Sequence, residues 1–216
     1  MRTRSLVELS LCALMLSSVT LVTPAHAATP KPTATAKPSP TITLTIAADH
    51  PEGYKRSYFK IWVDADGNGC NARKEVLIAQ AVIKPTIGKG CYLTGGKWIS
   101  PYDGKVLTSM TQSDIDHLVP LDEAWRSGAW SWTALQRETY ANDLKTPNLL
   151  MAVDSSINRE KGDKDPANWM PPLWKCNYIS AWITVKSKYH LTVDTAEAAA
   201  LTSYIKSCFI TNVKIV

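Results

Sequence analysis

Two stretches of the chain decide its fold: residues 114–121 read D-I-D-H-L-V-P-L, and residues 147–163 read P-N-L-L-M-A-V-D-S-S-I-N-R-E-K-G-D. The apolar and β-branched residues around Asp116 and His117 predict a strand, which Pro120 is placed to end. Side chains alternate along a strand, so Asp116 and His117 should point to opposite faces. The two adjacent polar side chains should therefore have different surroundings, one on each face of the strand.

The second stretch predicts a strand followed by a helix. The strand covers residues 148–153, and Asp154 or Ser155 can cap the helix that follows. That helix carries Asn158 and Lys161, which lie three residues apart and so share one face. A strand, strand, helix unit results.

This unit carries the residue types that phosphodiester cleavage needs. A neutral histidine can take a proton from the attacking water, and a hard divalent cation held by oxygen ligands can neutralise the leaving alkoxide. Taken alone, an Asp-His pair is more often a surface turn or a structural histidine, and N-x-x-K is usually a solvated helix face. The combination of the two stretches favours a nuclease that uses one metal ion.

The segment resembles the HNH endonucleases of the ββα-metal, or His-Me finger, class. Within that class it is most similar to the secreted actinobacterial HNH proteins related to the C-terminal nuclease domain of GmrSD-type restriction enzymes. The similarity runs over about residues 54–208. Four further stretches share it, namely 64–70, 96–98, 102–104 and 140–144.

The resemblance implies a role for each residue of the motif. Asp116 binds the metal, His117 is the general base, Asn148 braces the loop that holds the histidine, and Asn158 is the second metal ligand. Asp116 and Asn158 replace the first and last histidines of the literal H-N-H pattern. Both keep an oxygen ligand, which favours Mg²⁺ or Mn²⁺ over Zn²⁺.

The expected fold is α+β, with a ββα-metal (HNH) core over residues 114–163, a small antiparallel sheet, several covering helices and disulfide bonds. The expected activity is metal-dependent endonuclease cleavage of DNA, with RNA left open as a second substrate. No recognition helix or zinc finger is visible in the sequence, so we expect little sequence specificity. The family's usual products carry a 5′ phosphate and a 3′ hydroxyl.

Basic residues around the motif are candidates for contacts with backbone phosphates. Arg159 and Lys161 flank Asn158, whereas Arg137 and Lys97 lie further away in sequence. The net charge of +5 falls to about +4 without the signal residues Arg2, Arg4 and Glu8. A modestly basic protein is compatible with phosphate attraction.

A separate motif fits the calcium-loop pattern D-x-[DN]-x-[DN]-G-x₅-E. Its side-chain ligands would be Asp64, Asp66, Asn68 and Glu75. The simpler explanation is an Asp/Asn/Gly turn whose side chains bond their own backbone. A bound calcium ion would have a structural role.

Two other functions remain open at this point. One is a calcium-stabilised secreted binding module without catalysis. The other is a secreted hydrolase of another polymer that uses Asp116 and His117 as zinc ligands, against which stands the lack of a second well-placed histidine or cysteine.

The N-terminal residues predict export. Residues 1–27 combine Arg2 and Arg4 with an apolar run and an A-H-A ending, as a secretory signal does. Residues 28–45 form a Pro/Thr/Ala-rich tether with too little apolar content to pack. We expect a single nuclease domain over 46–216, no membrane association after cleavage and no obligate protein partner.

Four cysteines remain after the signal, an even number in an oxidising compartment, and this predicts two disulfides. Three pairings are open. We favour Cys70 with Cys91 and Cys176 with Cys208, since each pair brackets one continuous segment. Helices are also predicted over four ranges, 73–83, 121–144, 177–188 and 193–208.

Overall fold

The computed structural model describes residues 40–216. The predicted signal sequence, residues 1–27, lies outside the described residues. Most of the predicted tether, residues 28–45, does so as well.

The last part of the predicted tether is a strand and not a linker. Strand β1, Ile42–Leu44, pairs in parallel with β8, Val213–Ile215, near the C-terminus. Leu44 is only 1% exposed. Side chains alternate along this strand, so that Leu44 points into the core. The folded unit therefore begins before residue 46, the predicted start of the domain.

An antiparallel pair of strands lies at the centre of the molecule. Strand β6, Ser113–His117, pairs with β7, Leu150–Asp154, and His117 stands opposite Leu150. The last residue of β7, Asp154, accepts a hydrogen bond from the Ser156 amide and caps helix α4, Ser155–Lys161. The predicted order of strand, strand and helix is therefore present, with β7 starting two residues later than the sequence predicts.

Helix α1, Ala72–Gln80, covers the other edge of β7. Asn71 caps it by accepting a hydrogen bond from the Lys74 amide at 3.1 Å. At its far end the Gln80 side chain donates to the Leu150 carbonyl and accepts from the Ala152 amide, both at 2.8 Å. Gln80 thus satisfies backbone groups of β7 that a third strand would otherwise satisfy.

The helix predicted over 121–144 is wrong as a single element. The chain forms α2, Leu121–Arg126, then a short 3₁₀ turn, then α3, Ala134–Ala141. Gly128 between them has φ 144°, a conformation that a side chain would not tolerate. Thr133 then starts α3 with a capping box.

Two C-terminal helices complete the unit close to their predicted bounds. Helix α5 covers Lys175–Lys188, and α6 covers Thr195–Ser207 with Asp194 as its cap. A disulfide between Cys176 and Cys208 links them, with 5.4 Å between the Cα atoms.

The region between α1 and β6 is made of short hairpins. Strand β2, Thr86–Ile87, pairs with β3, Leu93–Thr94, and β4, Trp98–Ile99, pairs with β5, Val106–Leu107. The second disulfide joins Cys70 to Cys91, so both bonds have the pairing that the sequence favours. The fold is mixed α/β, and within residues 40–216 the strands form four two-stranded sheets in place of one.

The segment before α1 contains a 3₁₀ turn, Arg56–Tyr58, followed by bends. Residues 59–63 form no helix or strand. In the described part of the chain, no helix is both long and apolar enough to cross a membrane.

Candidate active site

His117 ends β6 in a buried aromatic setting. Its ring packs against Trp62 and Tyr140, and its Nε2 lies 2.9 Å from the Ala141 carbonyl oxygen. A carbonyl can only accept, so Nε2 must carry the hydrogen, and Nδ1 keeps its lone pair. Burial, helped by the charges of Arg56 and Lys161, lowers the pKa of His117 to about 4. The imidazole is therefore neutral at physiological pH and available as a base.

The carbonyl that holds His117 is itself held by the next residue along the chain. Asn142 accepts from the Val63 amide at 2.8 Å and donates to the carbonyls of Lys60 and Glu138, at 2.7 and 2.8 Å. These bonds fix the end of α3 beside Ala141. Asn142 is thus placed where a side chain that braces the contact of His117 would lie.

Asn148 does not take part in this arrangement. It is exposed and has φ 62°, a left-handed conformation that asparagine tolerates, in the turn before β7. The predicted strand includes it, but the pairing with β6 begins only at Leu150. Its side chain therefore does not brace the loop that holds His117.

Asp116 points away from His117 into a buried ion pair. Lys161 Nζ lies 2.8 Å from Oδ1, and the Tyr102 hydroxyl donates to Oδ2 at 2.6 Å. Burial raises the pKa of Asp116 and lowers that of Lys161. An ionised carboxylate offers about four lone pairs, so each oxygen of Asp116 retains an acceptor site beyond these two bonds.

Lys161 has a different role from the predicted one. It is 0% exposed, and its Nζ also donates to the His117 carbonyl at 3.1 Å. The helix face that carries it packs on β6 and β7 instead of facing solvent. Lys161 therefore cannot bind a substrate phosphate, and it supports the strand that carries Asp116 and His117.

Asn158 faces the same cavity as His117. Its Nδ2 donates to Asp114 Oδ2 at 3.3 Å, which leaves the amide oxygen free to bind a cation. Asp114 was not singled out from the sequence, although it lies two residues before Asp116 and so on the same strand face. An acidic side chain thus lies beside the amide of Asn158.

The cavity has a volume of about 360 Å³ and carries charges of both signs. Arg56 and Arg159 supply the positive groups, and Asp122 and Asp163 the negative ones. Arg159 is exposed, as a substrate contact should be, whereas Arg56 was missed because it precedes the motif by some sixty residues.

The other two predicted substrate contacts do not line this cavity. Arg137 donates to the carbonyls of Ala129 and Trp132, and its guanidinium lies 5.8 Å from the centre of the Tyr58 ring. Lys97 bonds through its backbone to Ile83 in the hairpin region. Substrate contacts at Arg137 and Lys97 would therefore lie outside this cavity.

Two of the supporting residues could have been found from the sequence. Tyr102 and Asn142 both fall in stretches that share the family resemblance, 102–104 and 140–144. The sequence marked these stretches as similar but did not show their contacts. Tyr54 and Arg56, which also line the cavity, had no such signal beyond lying at the start of the similar region.

Asp64, Asp66 and Asn68 lie in one exposed loop, and Glu75 lies in the first turn of α1 beside it. Asn68 Nδ2 donates to Asp66 Oδ2 at 3.0 Å and to Glu75 Oε1 at 2.8 Å, and Asp64 Oδ2 accepts from the Gly69 amide at 2.9 Å. The loop is therefore held by its own hydrogen bonds, as the simpler explanation expects. Calcium binding stays a prediction.

Carboxylate and amide oxygens are the donor set that Mg²⁺ and Mn²⁺ accept. Asp116 and Asn158 both line the cavity of His117, so the residue types fit such an ion. The Lys161 ammonium on Asp116 Oδ1 competes for that oxygen, and Asp114 offers a carboxylate without this competition. Among residues 40–216, no group of three or more His, Cys, Asp or Glu side chains is arranged to hold a metal ion.

Comparisons with known proteins identify a family and a relative of this chain. Residues 77–204 match the family described as GmrSD restriction endonucleases, C-terminal domain. The chain is 44% identical over 200 residues to an uncharacterized secreted protein of Arthroderma benhamiae, and the alignment covers 90% of this chain and 97% of the relative. No solved structure matches the chain.

The relative comes from a fungus, whereas the sequence resemblance pointed to actinobacteria. It is described as secreted, and the chain itself has two disulfides, which persist in oxidising compartments. The protein is extracellular, as the N-terminal residues predict.

Proposed function

Because the chain belongs to the family of the GmrSD restriction endonuclease C-terminal domain, we propose that it is a secreted endonuclease of the HNH type. It hydrolyses phosphodiester bonds in DNA, with RNA as a second candidate substrate, and has little sequence specificity. The observation that carries this proposal is the state of His117. Its Nε2 is committed to the Ala141 carbonyl, so Nδ1 is an unprotonated base beside a cavity with two arginines.

His117 takes a proton from water at Nδ1 in this mechanism. The oxygen of that water forms a bond to phosphorus, and the bond from phosphorus to the 3′ oxygen breaks. The 3′ oxygen leaves as a hydroxyl group after it takes up a proton, so the products carry a 5′ phosphate and a 3′ hydroxyl. The Ala141 carbonyl stabilises the imidazolium that forms, because it accepts the Nε2 hydrogen throughout.

Asp116 and Asn158 would hold one Mg²⁺ or Mn²⁺ ion, with Asp114 as the alternative carboxylate. The bound ion supplies positive charge for the leaving oxygen. Tyr102 and Lys161 orient the Asp116 carboxylate, as polar groups behind a metal ligand commonly do. Arg159 binds substrate phosphate from the exposed face of α4.

The proposal is tested by incubating the oxidised mature protein with plasmid DNA and with RNA, in Mg²⁺, Mn²⁺, Ca²⁺ or EDTA. The His117→Ala variant is assayed beside it, with His50→Ala as the matched control because His50 is a histidine outside the cavity. We expect cleavage that requires Mg²⁺ or Mn²⁺, is unchanged in His50→Ala and falls on the order of a thousandfold in His117→Ala.

Full activity in folded His117→Ala would refute the base assignment. Restoration by Zn²⁺ and not by Mg²⁺ would favour the zinc hydrolase. Absence of cleavage by a folded, metal-loaded protein would favour the calcium-stabilised binding module.

The two candidate carboxylates are separated by Asp114→Asn and Asp116→Asn. The variant that removes the ligand should need a higher Mg²⁺ concentration for half-maximal activity. An unchanged Mg²⁺ titration for Asp116→Asn, with a shifted one for Asp114→Asn, would assign the ligand to Asp114.

A further inference from the structure

Arg56 enters the cavity of His117 from a distant part of the chain. It lies in the 3₁₀ turn Arg56–Tyr58, ahead of the matched residues 77–204, yet it lines the same cavity as His117 and Arg159. Arg56 is therefore a cation beside the reacting centre.

The acidic side chains of the cavity already have a cation. Arg126 Nη1 lies 3.7 Å from Asp122 and 3.8 Å from Asp163, while its other nitrogens pair with Asp49 and Glu123. None of the ion pairs within residues 40–216 includes Arg56 or Arg159. These two guanidinium groups are exposed and remain available to an anionic ligand.

The cavity has more positive side chains than a single phosphodiester requires, since two arginines enter it from separate elements. A phosphodiester carries a single negative charge, and Arg159, next to Asn158 on α4, can contact the phosphate that is cleaved. A nucleic acid strand supplies a second phosphate on the adjoining nucleotide. Arginine is suited to this contact because its planar fork binds phosphate oxygens in pairs.

We propose that Arg56 binds the phosphate next to the one that is cleaved, so that the preferred substrate is a strand with at least two consecutive phosphates. This inference rests on the proposed nuclease function and names a requirement of the same site. A dinucleotide with a single internal phosphate offers no group for Arg56. It is therefore a poor substrate even when its phosphodiester reaches His117.

The first test compares two substrates, a dinucleotide with one phosphate and a trinucleotide with two. Arg56→Ala should lower kcat/KM for the trinucleotide roughly tenfold or more, the usual effect of losing a hydrogen bond to a charged group. It should lower kcat/KM for the dinucleotide by a much smaller factor, because the dinucleotide has no second phosphate for Arg56 to bind. Lys55→Ala is the matched control, since this exposed neighbour does not line the cavity, and it should change neither rate.

The second test does not depend on cleavage. Binding of a fluorescent single-stranded oligonucleotide to His117→Ala is measured against salt concentration, with and without Arg56→Ala. Loss of one phosphate contact should reduce the slope of log K against log salt by about 0.7. Arg56→Lys should keep most of that slope, because the charge remains.

The outcomes separate the two proposals. Equal losses on both substrates, or no loss on either, together with an unchanged salt slope, would overturn the role of Arg56. A wild-type protein that cleaves neither of these substrates, nor plasmid DNA, nor RNA, would refute the nuclease function. In that case the salt slope alone would decide whether Arg56 contacts phosphate.

Discussion

Two fully buried lysines serve two regions of the molecule in different ways. Lys161, at the end of α4, pairs with one carboxylate, that of Asp116 at 2.8 Å. Lys186, in α5, pairs with two, those of Glu123 at 2.5 Å and Glu197 at 2.7 Å. Burial lowers the pKa of Lys161. Burial alone would also lower the pKa of Lys186, but its two carboxylates outweigh that effect and raise it.

The difference shows which buried charge belongs to the site. Lys186 joins α2, α5 and α6, and its other bond is to the Thr192 carbonyl, so all its contacts hold helices together. Lys161 donates its second hydrogen bond to the carbonyl of His117, the proposed base. Loss of Lys186 should therefore cost stability, whereas loss of Lys161 should cost both stability and turnover.

The largest effect is expected from Lys186→Met. It leaves Glu123 and Glu197 buried side by side without their shared cation, and breaking a buried pair in this way costs about 4 kcal/mol of unfolding free energy. Denaturant unfolding measures the loss, with the exposed Lys175→Met on the same helix as control. Activity per folded molecule should not change.

Adding Glu197→Gln should recover part of the stability, because it removes the carboxylate that is left without a cation, whereas Glu123 keeps its pair with Arg126. A Lys186→Met protein as stable as the wild type would show that the helical network is not held by this charge. The comparison between the lysines would then fail.

A somewhat smaller loss of stability, about 3 kcal/mol, is expected from Lys161→Met. Only Asp116 is stranded, and it keeps the hydrogen bond from Tyr102. Turnover should also fall roughly tenfold or more, as when groups behind a metal ligand are removed. Lys164→Met, an exposed lysine three residues further on, is the control for both measurements. Unchanged kcat in Lys161→Met would contradict the link between Lys161 and the site.

The pH dependence of kcat/KM tests the same difference between Lys161 and Lys186. The folded pKa of His117 is about 4, below its ordinary value of 6.5, so the base stays unprotonated well below pH 6.5. The acid limb of kcat/KM should lie near pH 4 to 5, measured at constant Mg²⁺. Lys161 contributes to lowering this pKa, so Lys161→Met should move the limb upward, whereas Lys186→Met should not. A wild-type limb at pH 6.5 would contradict the buried state of His117.

The lowered pKa of His117 also makes the free energy of unfolding depend on pH. A histidine whose folded pKa is depressed binds a proton more readily in the unfolded chain, so folding is penalised as pH falls from 6.5 towards 4. The penalty reaches about 3 kcal/mol at most. It should appear as the difference in unfolding free energy between wild type and His117→Gln across that range, and be absent above pH 7.

Local sequence patterns predicted the elements that present the site. Alternation gave β6, the cap at Asp154 gave α4, and the three-residue spacing of Asn158 and Lys161 put both on one face. The same pattern could not show that this face is buried, because that depends on α4 packing against β6 and β7. Lys161 was therefore taken for a surface cation.

Contacts between distant segments could not be predicted. Arg56 meets His117 only through the tertiary fold, and the break at Gly128 replaced one long predicted helix with two short ones. That break sets the direction of α3, whose last residue supplies the carbonyl for His117. The family resemblance assigned the asparagine brace to Asn148, whereas it is Asn142 that makes hydrogen bonds beside Ala141.

The choice between the two asparagines gives the smallest and most specific prediction. Asn142→Ala removes three hydrogen bonds beside Ala141, so it should cost about 1 to 2 kcal/mol of stability and lower kcat by loosening the acceptor that orients His117. Asn148→Gly, which preserves the left-handed turn, should change neither quantity by much. Thermal unfolding and kcat are measured for both variants. The reverse result, with kcat lowered only in Asn148→Gly, would restore the brace to Asn148. It would also show that the hydrogen bonds of Asn142 do not orient the carbonyl that His117 contacts.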